Sequence, residues 1–293
     1  MRFLAAKVAL APTALIVAVV FIGAIAWTVG LSFTPSRGVP EWSFVGLDQY
    51  AALFRSSRWI VSLKNMAIYG IGLIGGALVL GILLAIFIDQ NLRGEGIFRT
   101  IFLYPFALSY IVTGFAWQWF LNPQLGLQKF MQDLGWETFS FKLLIDRDLA
   151  IYTIVAAAVW HSAGLVMAIM LAGLRGVDEE IWKATRVEGI PRWRAYVSII
   201  LPMTGPALVT SLLLLTFGVI RNYDLVVAMT NGGPGIATEV PAKFVMDYLF
   251  ERQNAALASA GAVVMLIALF AAATPLWYLQ RRNARRLAAL QKG

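Results

Sequence analysis

Six intervals of the chain contain no Asp, Glu, Lys or Arg: residues 8–36, 65–88, 100–128, 149–174, 195–220 and 253–280. Each exceeds the roughly 20 residues that a helix needs to cross a bilayer. Lipid offers no hydrogen-bond partner to an open strand, so each interval has to be a helix. Composition agrees: 14% of the residues are charged and 59% are hydrophobic, whereas a soluble domain carries about 25% charge. The expectation is an all-α integral membrane protein, one domain over 1–293, with spans at about 9–33, 65–88, 100–121, 150–174, 203–220 and 256–279. Arg2, Lys7 and the small residues Ala24-Ile25-Ala26 would also suit a secretory signal. The first apolar run is longer than a signal's core of about 7–15 residues, so it reads as a retained span.

With the N-terminus in the cytoplasm, 14 of the 24 Lys and Arg fall on cytoplasmic segments, although the outer segments are longer in total. That bias places both termini and the 175–194 loop inside. It also accounts for the net charge of +8 without nucleic acid. The arginines at 281, 282, 285 and 286 suit anionic headgroups. The outer loop 35–63 is rich in aromatics and is expected to hold a short surface helix capped by Asp48. Cysteine is absent and His161 is the single histidine, which excludes disulfides, thiolate chemistry and multi-histidine metal sites. No phosphate-binding G-x-x-x-x-G-K-[ST] occurs, so any ATP would be hydrolysed by another subunit. The six intervals hold no carboxylate, which argues against a transporter driven by an ion gradient. They hold no nucleophile with a base either, which argues against an enzyme.

One charged stretch, 178–206, lies among these runs. Asp178 can cap a helix whose first turn carries Glu179 and Glu180. Gly189 can end it with φ > 0. Pro191 suits the first position of a second helix, and Pro202 limits that helix. Lys183-Ala184-Thr185, then Gly189, then Ile199, Leu201 and Pro202 resemble the cytoplasmic loop of permease subunits of binding-protein-dependent ABC importers. The family pattern there is Glu-Ala-Ala, Gly, and Ile-x-Leu-Pro. Lys183 departs from the Glu, and Glu188 stands where Asp is usual. The resemblance implies that this loop docks into a groove of an ATPase. The contacts would come from Trp182, Lys183, Ala184, Thr185, Val187, Glu188, Gly189, Leu201 and Pro202. The plain alternative is a basic loop linking two helices.

Further residues resemble the sugar-permease branch. Tyr223-Asp224 is followed by Thr230-Asn231-Gly232-Gly233-Pro234. In that branch such a glycine-rich turn (Gly232, Gly233, Pro234) faces the binding protein; a plain periplasmic turn is the alternative. Ala158, His161, Ser162 and Leu165 share one face of the fourth span. By resemblance to maltose-type permeases they are candidates for sugar contact, with Val219 and Asn222 on the next helix and Phe106 on the third. Ser, Asn and neutral His can each donate and accept, which suits hydroxyl groups. His161 and Phe106 suit packing as well. Trp117 and Trp119 read as an interface belt. Gly70, Gly72, Gly75, Gly76 and Gly81 read as a close helix contact.

The resemblance implies a transport subunit, not an enzyme, in a bacterial inner (cytoplasmic) membrane, without a cofactor of its own. A second permease would complete a heterodimeric pathway. An ATPase dimer would bind ATP and Mg, and a periplasmic binding protein would deliver a carbohydrate. An anionic derivative such as a glycerol phosphate ester, and a polyamine, stay open as substrates.

Overall fold

The computed structural model describes residues 2–90 and 93–290. Among them every regular element is helical, apart from an isolated bridge between Arg37 and Val39. The helices are α1 (Arg2–Leu31), α2 (Asp48–Arg55), α3 (Ser57–Ile88), α4 (Glu95–Ala107), α5 (Tyr110–Phe120), α6 (Leu127–Asp133) and α7 (Ala150–Arg175). They continue with α8 (Glu179–Val187), α9 (Arg192–Ala195), α10 (Leu201–Met203), α11 (Gly205–Ile220), α12 (Tyr223–Thr230), α13 (Pro241–Met246) and α14 (Ala255–Leu290). Single π turns follow α9 (Tyr196–Ile200) and α13 (Asp247–Glu251). Arg2, Lys7 and the arginines at 281–286 fall on helical backbone; Lys292 and Gly293 lie outside the described residues.

Among the described residues, four stretches are long and apolar enough to cross a membrane: Leu10–Leu31, Ser57–Ile88, Ala150–Arg175 and Ala255–Pro275. Two bent pairs bring the number to as many as six, each pair counted as one span. Glu95–Ala107 and Tyr110–Phe120 meet at 99°, and Arg192–Met203 and Gly205–Ile220 at 74°. The first break follows Pro105, which removes an N–H from the last turn of α4. The second falls at Thr204, not at Pro202; the backbone runs helically through Pro202 and turns just before Pro206.

The chain divides into two compact units, 1–60 with 241–267 and 61–240 with 268–293. In the first unit, Gly38 N–H donates to the Gln253 carbonyl (2.7 Å) and Ala256 N–H to that of Ser36 (3.1 Å), tying the loop after α1 to the start of α14. The expected surface helix is α2, but Leu47 occupies its cap position and Asp48 is its first residue, with no capping hydrogen bond. Asp247 takes an ion pair from Arg58 and a second from Lys243 Nζ (2.6 Å). All three side chains are largely buried, and the Arg58 guanidinium lies over the rings of Phe244 and Tyr248. One carboxylate thus serves two cations, and each such charge is costly to bury unless it is paired.

In the second unit α3 lies along α7 on a seam of glycines. A Cβ at Gly72, Gly76 or Gly81 would stand 2.6, 2.7 or 2.6 Å from Val155, Val159 or Val166. The β-branched valines fill the space left by the missing side chains, so the two backbones approach closely. Gly70 meets Val219 of α11 instead, and Gly75 meets nothing. Tyr69, Leu73, Ala77, Ile154, Ala157, Ala158, Val166 and Met167 form the buried centre of this unit.

Candidate functional site

The break between α4 and α5 determines what surrounds His161. Ser109 caps α5 by accepting from Val112 N–H (3.3 Å), which places Tyr110 and Thr113 on its first turn. α4 reaches α7 at Gly164, where a Cβ would stand 2.0 Å from the Phe102 carbonyl oxygen. The end of α4 and the start of α5 therefore converge on the same stretch of α7. His161 is 3% exposed. Its Nδ1 lies 3.2 Å from Thr113 Oγ1, its ring stacks on Tyr110 at 4.2 Å, and the Phe106 ring is 5.8 Å away. The Tyr110 hydroxyl reaches α11 at Gly218, and α12 seats Ala228 against Gly114 of α5.

Of the residues singled out from the sequence, Phe106 and His161 share this ring cluster. Ala158 and Ser162 are buried on α7, and Leu165 is half-buried. Val219 is half-buried against Gly70. Asn222 is buried at the junction of α11 and α12, and its Nδ2 has no hydrogen-bond partner among the described residues. The Tyr69 hydroxyl of α3, buried in the same unit, is also without one. An unpaired buried donor costs about 1–3 kcal/mol, so each of these groups can take a further hydrogen-bond partner. Tyr69, Tyr110 and Thr113 were not selected from the sequence. A signal for two of them was present: Ser109 as a cap after Pro105 puts Tyr110 and Thr113 one turn apart on one face.

The charged stretch has a different build. Asp178 Oδ1 accepts from Glu180 N–H (3.0 Å), as its cap position requires. Gly189 closes α8 at φ +67°, and Pro191 stands just before α9. On α8, Ile181, Trp182 and Thr185 turn inward. Trp182 meets the Tyr196 ring edge-on at 5.0 Å, and Thr185 is buried. Lys183, Ala184, Val187, Glu188 and Gly189 are exposed, Val187 at 88%. Lys183 pairs with Glu179 at 3.4 Å on that outer side. Leu201 is half-buried against the core and Pro202 is exposed. A cleft of about 520 Å³ lies behind α8, lined among others by Asp89, Arg175, Trp182, Arg192 and Tyr196.

The turn after α12 is held by its own threonines. Asn231 and Gly232 take φ of +48° and +84°. Thr238 Oγ1 donates to the Gly233 carbonyl (2.7 Å) and bonds to Thr230 Oγ1 (2.7 Å). Gly232 is buried, whereas Gly233 and Pro234 are half-exposed.

The sequence signature described as "binding-protein-dependent transport system inner membrane component" matches residues 77–288, a stretch that contains the His161 cluster, α8 and the threonine-braced turn. The chain belongs to this family. A probable ABC transporter permease of Pyrococcus horikoshii is 32% identical over 94% of this chain and 96% of its own. A xylose/arabinose import permease of Haloferax volcanii is 28% identical over 89% and 83%. In fold, the chain is similar to one in the crystal structure of a bacterial ABC transporter involved in the import of the acidic polysaccharide alginate. The TM-score is 0.82, with 18% identity over 96% of both chains. This permease is therefore an all-α, membrane-integral transport subunit and not an enzyme, as the sequence led one to expect.

Proposed function

We propose that this permease is one of two membrane subunits of an importer that takes up a neutral carbohydrate, in an inner membrane with both termini cytoplasmic. The observation that carries the reading is a set of polar groups buried in an apolar unit: His161 beside Thr113 and Tyr110, and, elsewhere in the same unit, the unpaired Asn222 Nδ2 and Tyr69 hydroxyl. Polar groups at membrane depth are costly and mark a solute path. Here they are hydroxyl, amide and imidazole groups beside aromatic rings, a set that matches sugar hydroxyls and the C–H face of a sugar ring. Similarity to a xylose/arabinose import permease supports the same class.

In this reading Phe106, Ala158, His161, Ser162, Leu165, Val219 and Asn222 border the path through a single permease domain. A second permease closes it. The outer face of α8, with Lys183, Ala184, Val187, Glu188 and Gly189, enters the groove of an ATPase that binds ATP and Mg. Trp182, Thr185 and Leu201 support that face from behind, and Pro202 flanks it. Gly232, Gly233 and Pro234 face a periplasmic binding protein.

The test is uptake by the assembled importer in proteoliposomes from a panel of labelled neutral sugars and sugar phosphates. Asn222→Ala should lower uptake at low substrate about threefold to tenfold, the worth of one hydrogen bond, with ATPase activity unchanged. A second reading, an anionic sugar derivative, rests on exposed Arg221 beside Asn222. Loss of all uptake in Arg221→Ala, with Asn222→Ala unaffected, would overturn the neutral-sugar reading and establish the anionic one.

A further inference from the structure

The inner side of α8 touches a polar network that no transport step above uses. Tyr196, 6% exposed, opens the π turn after α9. Its ring bears on Trp182 of α8. Its hydroxyl donates to Asp89 Oδ2 (2.8 Å) and accepts from Gln90 Nε2 (2.9 Å), both just beyond the end of α3. Gln90 Oε1 accepts in turn from Arg192 (3.2 Å). Asp89 also lies 3.8 Å from Nε of Arg175, the last residue of α7. Arg175 donates to Glu95 at the start of α4 (2.8 Å), and Glu95 accepts from Arg99 (2.8 Å). One side chain thus joins α8, through a ring contact, to the ends of α3 and α7, through a hydroxyl on a carboxylate. Bonds of that kind are short, directional and stronger than neutral ones.

The far side of this link is stiff. α3 and α7 are locked along the seam at Gly72, Gly76 and Gly81. Close-packed seams of this sort have few alternative arrangements and transmit displacement. A shift imposed at Asp89 and Arg175 therefore moves α3 and α7 together, and α7 carries His161 and Ser162.

We infer that Tyr196 is the positioning residue that transmits movement of α8 to the α3–α7 pair. This rests on the reading of α8 as the docking helix. The chain has no cysteine, so single cysteines introduced at Val187 (α8) and at Ala156 (α7), both exposed, can each carry a spin label. In the assembled importer with its own ATPase and second permease, ATP with vanadate should change the spectrum at both positions. In Tyr196→Phe, which keeps the ring on Trp182 and deletes only the hydroxyl, the change at 187 should persist. The change at 156 should fall at least about fivefold, the lower end of coupling between linked sites. Asp89→Ala should reproduce this. Asp89→Asn, which keeps an acceptor for the tyrosine, should restore the response, whereas a merely structural carboxylate would not be rescued. A full response at 156 in Tyr196→Phe, or in Asp89→Ala should the first variant not assemble, overturns the inference. An unchanged spectrum at 187 in the otherwise unaltered chain would instead overturn the docking reading.

Discussion

The α8 loop and the His161 cluster are both polar insertions in an apolar chain, and they are built in opposite ways. The loop is assembled from neighbours in sequence. Asp178 caps it, Gly189 ends it, and its outer residues are exposed. The cluster is assembled from three helices, α4, α5 and α7, and Gly164 lets the backbones of α4 and α7 approach unusually close. The first region can be read and altered residue by residue. The second stands or falls on the spacing between helices.

The largest effect that would test this contrast lies in the loop. Ala184→Arg puts a long cation on an exposed small-residue face without touching the core. Docking of the ATPase should weaken at least about thirtyfold, the scale of a disrupted interface centre, while membrane insertion stays normal. Co-purification of the two subunits measures it. Intact docking would mean that the outer face of α8 is a plain solvent surface.

Next comes the cluster. Gly164→Ala adds one carbon that would stand 2.0 Å from the Phe102 carbonyl oxygen, so α4 has to retreat. Overpacking of this kind costs about 1–3 kcal/mol. Thermal unfolding in detergent should move down, and uptake should fall although no polar group has been removed. An unchanged midpoint with normal uptake would show that the α4–α7 spacing is not what holds His161.

The smallest effect separates charge from shape on α8. Lys183 is 60% exposed and its partner Glu179 75%. Exposed pairs of this kind are worth little, so Lys183→Ala should change docking by less than about threefold. A drop comparable to Ala184→Arg would mean that the ATPase groove presents an anion to Lys183.

The sequence made the loop legible because capping, φ > 0 at a glycine and proline geometry act within a few residues. It did not show which side of α8 is covered. Trp182 turns in because Tyr196, 14 positions later, is brought beneath it by a π turn that no local signal announced. The spans were legible from their missing charges, but their breaks were only partly so. Pro105 does mark the first, whereas the second falls at Thr204, because Pro206 cannot continue the preceding helix and instead fits the opening turn of α11. His161 was legible as an anomaly in an apolar run. Its partners Tyr110 and Thr113 carried only the local signal of Ser109 as a cap after Pro105, and what brings them onto His161 is tertiary approach. Asp48 was misplaced by one position: Leu47 holds the cap and the aspartate acts through its place in the first turn.

The triad of Arg58, Lys243 and Asp247 makes the chain's room for divergence lopsided. A lineage that loses Lys243 keeps a balanced pair between Arg58 and Asp247 and can go on accumulating neutral changes. A lineage that loses Asp247 first leaves Lys243 in a largely buried place without the carboxylate it pairs with, and it can persist only if a second change follows at once. The order of substitutions at Lys243 and Asp247 is therefore constrained, although neither of them is bound to touch the transported solute.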